Sequence, residues 1–189
     1  MKESQNETSV DHLRALVGLD TVSHRSNLPL IDYLESVLRP LGARLQRIED
    51  TSGTKANLLA SFGPTDRSGY ILSGHTDVVP ADGQNWTTDP FEMTERDGRL
   101  YGRGTTDMKG FLACCLAMAP KIAAAPLKVP MHIAFSYDEE VGCLGVRDLI
   151  KWLNTWDVRP LGCIIGEPTS MQIVTSHKAK RAFRAVVKG

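Results

Sequence analysis

The chain has 189 residues, and 22 Lys and Arg are balanced by 22 Asp and Glu. That length suffices for one domain with a sizeable core. A balanced charge, with no basic cluster larger than Lys178-Ala179-Lys180-Arg181, argues against nucleic acid or an anionic membrane as partner.

In chain order, Ser9–Val17 reads as a helix capped by Ser9. Leu30, Ile31, Leu34, Val37 and Leu38 recur at helical spacing and predict a second helix over 30–38. Strands are expected over 43–48, 57–62 and 70–73, and a loop at 83–86 leads to a hairpin over 91–101 turned by Asp97-Gly98. A helix follows over 109–119, where Pro120 should end or kink it. Its apolar run from Phe111 to Ala119 is too short to span a bilayer, and the polar start at 1–7 does not read as a signal peptide. A strand over 129–137, a helix over 143–154 and a strand over 161–165 continue the alternation, and 171–175 and 182–187 read as further strands. Strands interleaved with helices predict an α/β fold, with a mostly parallel sheet covered by helices on both faces.

His75 and Asp77 stand two residues apart where the apolar run Tyr70-Ile71-Leu72 gives way to a loop. Positions i and i+2 of a strand share a face, so Asp77 can hold one ring nitrogen while the other binds a metal. Asp107 precedes the apolar helix, Glu139 and Glu140 follow the apolar strand that runs into Asp138, and Glu167 follows the strand over 161–165. His75, Glu139, Glu140 and Glu167 thus fall at carboxyl ends of strands and Asp107 at a helix entrance. Open α/β sheets bind ligands there. Zinc accepts such nitrogen and oxygen ligands, and two ions roughly 3.5–4 Å apart can share a carboxylate. Asp107 is the natural bridge, His75 and Glu167 suit one ion and Glu140 the other. Glu139 is then free as general base, because neighbours on an extended chain point opposite ways.

Three consecutive acids, Asp138 to Glu140, also call for a counter-charge. Asp107 could cap the following helix, a role compatible with bridging. His12 and His24 read as surface residues, His132 as a core histidine and His177 as a hinge residue. Cys114, Cys115, Cys143 and Cys163 lack Cys-x-x-Cys spacing, as expected of reduced thiols in a cytoplasmic protein.

Five elements occur in register: Gly74-His75-Thr76-Asp77-Val78-Val79-Pro80; Trp86 with Asp89-Pro90-Phe91; Leu100-Tyr101-Gly102-Arg103-Gly104 with Asp107-Met108-Lys109-Gly110; Asp138-Glu139-Glu140-Val141-Gly142; and Gly166-Glu167-Pro168-Thr169. Through them the chain, over roughly residues 10–189, resembles the co-catalytic zinc amidohydrolases and carboxypeptidases, a family that includes aminoacylase, succinyl-diaminopimelate desuccinylase and acetylornithine deacetylase. The stretch from Gly104 to Phe111 is most similar to the acetylornithine deacetylase branch, although His177-Lys178-Ala179 stands where that branch has His-Lys-Gly.

The resemblance implies two Zn2+ ions, with Co2+ able to substitute. Asp107 would bridge them, His75 and Glu167 complete one, and Glu140 bind the other. Glu139 would be the general base, with Asp77 grouped beside it as a catalytic residue. It also implies a cis Asp107–Met108 peptide. Residues 1–176 would be the amino-terminal part of the catalytic domain, and 177–189 a hinge and first strand of a smaller α+β dimerisation domain. A last histidine ligand and a homodimer would belong to the full-length protein.

The implied activity is amide hydrolysis of a small N-acyl amino acid, N2-acetylornithine to ornithine and acetate in arginine biosynthesis. Succinyl-diaminopimelate desuccinylation or cleavage of another N-acyl amino acid stays open, as does a metal-binding fragment without activity of its own. A nucleotide-binding α/β domain is disfavoured, since no Gly-x-Gly-x-x-Gly loop follows a strand.

Overall fold

The computed structural model describes residues 7–176 and 185–187. Helix α1 (Ser9–Val17) opens on a capping box: Thr8 Oγ1 accepts from the Asp11 N–H at 3.2 Å, and the Asp11 carboxylate accepts from the Thr8 N–H at 2.9 Å. Thr8, rather than the expected Ser9, is therefore the cap. Helix α2 (Leu28–Leu38) begins two residues earlier than its apolar spacing indicates, because Pro29 suits a first turn that has no N–H to satisfy. Strands β1 (Arg44–Glu49), β2 (Ala56–Phe62) and β3 (Tyr70–His75) follow. The hairpin β4 (Thr94–Arg96) and β5 (Arg99–Tyr101) turns through Asp97 and Gly98, both at positive φ (53° and 69°) as a tight two-residue turn requires.

Helix α3 spans Lys109–Ala124 and passes through Pro120. The expected stop fails because Leu112, Leu116 and Ala119 hold that helix face in the core, and tertiary packing outweighs one lost hydrogen bond. The helix ends instead before Pro126: Ala125 is forced to an extended conformation (φ −76°, ψ 144°). Strand β6 (Met131–Ser136), helix α4 (Val146–Leu153) and strand β7 (Gly162–Ile165) complete the described elements.

The main sheet has five strands in the order β1-β2-β6-β3-β7. Strand β3 lies parallel to both β6 and β7, whereas β1–β2 and β2–β6 pair antiparallel. The sheet is thus mixed: the short link between β1 and β2 permits only a hairpin return, and parallel pairing is confined to the half that carries the site. Alternation along β2 and β6 splits the core. Leu58, Ala60, Ile133 and Phe135 face Leu13, Leu16, Leu30, Leu34, Leu112 and Leu116 of α1, α2 and α3. Leu59 and Ala134 face the other way, against Leu149 and Trp152 of α4. Both faces carry helices, as expected.

Residues 171–175 form no strand. Met171 and Ile173 are 99% and 94% exposed, and the segment has no ladder partner among the described residues. The hinge at His177 and residues 182–184 of the strand expected over 182–187 lie outside the described residues, and 185–187 form no strand. His12 is not at the surface. It shares the buried face of α1 with Leu13 and Leu16, and its Nδ1 lies 2.8 Å from the Tyr33 hydroxyl. His24 is exposed and His132 is buried, as expected. Among the described residues no helix is long and apolar enough to cross a membrane.

Candidate metal centre

Strand β3 ends at His75, opposite Ser136 of β6. The Thr76 N–H continues the ladder to the Ser136 carbonyl at 2.7 Å, which delivers Asp77 beneath the imidazole. Nδ1 of His75 lies 2.9 Å from the Asp77 carbonyl oxygen, and the Asp77 carboxylate is 3.5 Å away. A donor Nδ1–H leaves Nε2 free to meet a cation. Nε2 faces Asp107 at 3.1 Å, Glu167 at 3.6 Å and Glu139 at 3.8 Å. Asp77 holds one ring nitrogen, as expected, with its backbone carbonyl as the nearest partner.

The Asp77 carboxylate is buried and occupied elsewhere. It accepts from the Ser23 hydroxyl at 2.7 Å, the Glu139 N–H at 3.0 Å and the Glu140 N–H at 3.2 Å. Asp77 therefore ties the loop after β3 to the turn after β6. Nothing local in the sequence announces Ser23, which lies 54 residues away from Asp77.

Glu139 and Glu140 do not sit on extended chain, so strand alternation is not what separates them. Asp138 adopts a positive φ of 54°, and Gly142 N–H and Cys143 N–H close a turn on the Glu139 carbonyl at 2.9 and 3.0 Å. Asp138 points away from the cluster and pairs with the Lys55 ammonium. The counter-charge of this third acid is thus Lys55, a partner the sequence did not announce.

Asp107 reaches the cluster from the loop before α3, and the Asp107–Met108 peptide is cis, as the resemblance implies. The start of α3 is anchored by Lys109, whose fully buried Nζ donates to the Leu16 and Leu19 carbonyls at 2.9 and 2.8 Å. Burial pushes the Lys109 pKa down to about 7, against the pull of Asp20 and Asp77. Glu167 arrives over the first turn of α3. A Cβ on Gly166 would lie 2.1 Å from the Phe111 ring, so only glycine lets the chain leave β7 this closely.

The result is two overlapping groups, His75–Glu139–Glu167 and His75–Asp107–Glu140, with the potential ligand atoms of each within 4.8 Å of one another. All five expected side chains converge, but both groups share His75, and Glu139 falls among potential ligand atoms. The electrostatics fit a cation. Burial raises the Glu140 pKa to about 6, with Asp107 and Glu139 adding and His75 opposing. Burial also raises that of Glu167, and Asp107 and Glu139 push the same way against His75. For His75, burial disfavours the imidazolium, yet the Asp77 and Glu167 carboxylates prevail and lift its pKa to about 9. Burial likewise acts to raise Asp77, but His75, the Glu139 N–H and Ser23 hold it below the usual carboxylate range. One imidazole among crowded carboxylates suits a zinc-type ion, and the imidazolium takes that positive role when no ion is bound.

A cleft of about 280 Å³ runs beside Asp107 and Glu140, lined also by Val79 and by residues 102–106. A larger one, about 520 Å³, lies among Arg44, Ser61, His132, Trp152 and Trp156, away from the metal-ligand groups.

A mixed, helix-flanked sheet that gathers metal-suited side chains at its parallel strand ends defines a metallopeptidase-type catalytic domain. The chain belongs to peptidase family M20/M25/M40, whose model matches residues 71–180. It is 41% identical over 177 residues to an acetylornithine deacetylase of Shigella sonnei (strain Ss046), a match covering 89% of this chain and 45% of the relative. A second acetylornithine deacetylase, from Klebsiella pneumoniae (strain 342), is 39% identical over 188 residues, covering 95% and 48%. The chain thus spans about half the length of these relatives. Among solved structures, human carnosine dipeptidase 1 superposes with a TM-score of 0.72 at 26% identity, over 83% of this chain and 38% of that one. An M20 metallo-carboxypeptidase from Sulfolobus solfataricus gives 0.72 at 23% identity, over 85% and 37%, which shows the shared fold.

Proposed function

We propose that this chain is the metal-binding part of an amidohydrolase that cleaves the amide bond of a small N-acyl amino acid, with N2-acetylornithine as substrate. The observation that carries the reading is the convergence of Asp107, Glu139, Glu140 and Glu167 on His75. The two relatives named acetylornithine deacetylase support the choice of substrate.

His75, Asp107, Glu140 and Glu167 would hold two Zn2+ ions, or Co2+ in their place. When bound, the ions supply Lewis-acid polarisation of the amide carbonyl and of a water molecule. Glu139 takes a proton from the attacking water as the C–O bond forms, and returns it to the leaving nitrogen as the C–N bond breaks. The products are a carboxylate and an ammonium group, the second proton of the water also passing to the amine. Asp77 acts through its neighbours: its carbonyl fixes the His75 tautomer and its carboxylate fixes the backbone of Glu139 and Glu140. A cytoplasmic homodimer completes the proposal for the full-length protein.

The test is hydrolysis by the zinc-loaded full-length protein of N2-acetylornithine, N-succinyl-diaminopimelate and a set of N-acetyl amino acids. Acetylornithine should give the highest kcat/KM and chelation should abolish turnover. Glu139→Gln should lower kcat by about 10²–10⁴-fold with metal content unchanged. No hydrolysis of any of these substrates, or a Glu139→Gln protein within a few-fold of wild type, would overturn the reading.

A further inference from the structure

Lys55 stands where the chain enters β2, with its side chain 14% exposed. Its ammonium donates to the Asp138 carboxylate and to the Ser23 carbonyl oxygen, and lies 5.9 Å from the centroid of the Tyr137 ring. Three segments distant in sequence meet there: the loop after α1, the entry to β2 and the exit from β6. The same Ser23 donates its hydroxyl to Asp77, and Asp77 receives the N–H groups of Glu139 and Glu140. The contacts close a ring through Lys55, Asp138, the Glu139–Glu140 backbone, Asp77 and Ser23. Within it Asp138 holds a positive φ of 54°, a left-handed turn conformation that aspartate adopts more readily than most residues with a side chain.

We propose that Lys55 is a positioning residue. Its bridge between Ser23 and Asp138 clamps the Asp138–Glu140 turn against the Asp77 loop, and so fixes where the Glu140 carboxylate meets a metal and the Glu139 carboxylate meets water. Lys55 touches neither the ligand atoms nor the open cleft. The roles of the two glutamates rest on the reading given under Proposed function; the clamp rests on the contacts alone. A buried pair of this kind is costly to break from one side only, because the remaining partner is stranded in the interior. The variants must therefore separate loss of the clamp from that stranding.

The experiment uses the full-length protein loaded with Co2+, comparing wild type with Lys55→Met, Lys55→Arg, Asp138→Asn and the double variant Lys55→Met/Asp138→Asn. Metal affinity and the visible Co2+ absorption spectrum report ligand geometry without any substrate. Lys55→Met should shift the spectrum and weaken metal binding by about 10–100-fold, the effect typical of losing a residue that orients a ligand. It should also lower kcat more than it changes KM, and Lys55→Arg should recover part of each loss. The double variant should keep the shifted spectrum, because the clamp is still missing. Should Lys55→Met fail to fold, Asp138→Asn, which keeps the side-chain shape, gives the same readout.

Wild-type spectra and metal affinity in folded Lys55→Met, with only a lower Tm, would overturn the proposal. A double variant that returned to the wild-type spectrum would overturn it too, since the turn would then hold its place unaided. Failure of the amidohydrolase reading looks different: wild type would cleave no N-acyl amino acid, while the spectral shift in Lys55→Met would stand.

Discussion

The two best-buried histidines on the sheet carry opposite electrostatics. His75, at about 9, holds its proton near neutral pH when no metal is bound. A cation must displace that proton from Nε2, because Nδ1 is turned to the Asp77 carbonyl. Metal affinity of the metal-free protein should therefore strengthen as pH rises toward 9, by up to about tenfold per unit while one proton is released. Competition with a chelating dye between pH 6 and 9 measures this, and a pH-independent affinity contradicts it. His132 is pushed the other way, to about 4, chiefly by burial with Arg44 adding. It lies beside Trp156 and 2.8 Å from the Ser61 hydroxyl. The unfolded chain takes up a proton near pH 6.5 that the folded chain refuses. The stability contributed by neutral His132 is thus fully present above about 6.5 and lost as pH falls through about 4, up to about 3 kcal/mol in all. His132→Gln should flatten this loss: its urea midpoint should fall less than that of wild type between pH 6.5 and 4.5. Equal falls in the two proteins would remove His132 as the cause.

Helix α3 and strand β3 set the distance across which Asp107 meets His75, and both can be probed. Pro120 lacks the N–H that would reach the Leu116 carbonyl, so Pro120→Ala should stabilise the protein by roughly 1–3 kcal/mol, less what proline contributes by stiffening the unfolded chain. Urea denaturation measures the gain, and metal binding should not change. Gly74→Ala should act oppositely. Its Cβ would lie 2.7 Å from Leu112 Cδ2 and 2.9 Å from Met108 Cε, the outer ends of two side chains packed between β3 and α3, which must repack at a cost of about 1 kcal/mol. Urea denaturation measures this loss too, and an unchanged midpoint in Gly74→Ala would show that those side chains yield freely. These elements were legible because apolar runs mark strands directly. The chain ends of helices were less so, since they depend on cap and turn chemistry. Helix α4 starts at Val146, later than its apolar pattern suggests, because Gly142 and Cys143 take positive φ and spend the preceding residues on a turn.

At the scale of the molecule, the sequence announces the proposed ligands but not the frame that orients them. His75, Asp107, Glu139, Glu140 and Glu167 each stand at an abrupt change from apolar to polar chain, which is readable one segment at a time. Strand order is not, because β6 inserts between β2 and β3 only through long-range packing. Ser23 and Lys55 are invisible for the same reason: Lys55 and Asp138 lie 83 residues apart. The frame also limits what these residues can hold. Both ligand groups draw on the single nitrogen His75 Nε2, and one lone pair serves one ion. The second ion would be left to carboxylates alone, a weaker set for zinc than a mixture of nitrogen and oxygen. After zinc loading and exhaustive dialysis, the 189-residue chain should retain close to one equivalent by elemental analysis, and the full-length protein close to two. Substituting Asp107→Ala should strip the carboxylate-held ion first and leave His75 and Glu167 a weakened single site. Two equivalents held tightly by the 189-residue chain would mean that Glu139 binds metal rather than water, and its role as base would have to pass to another group.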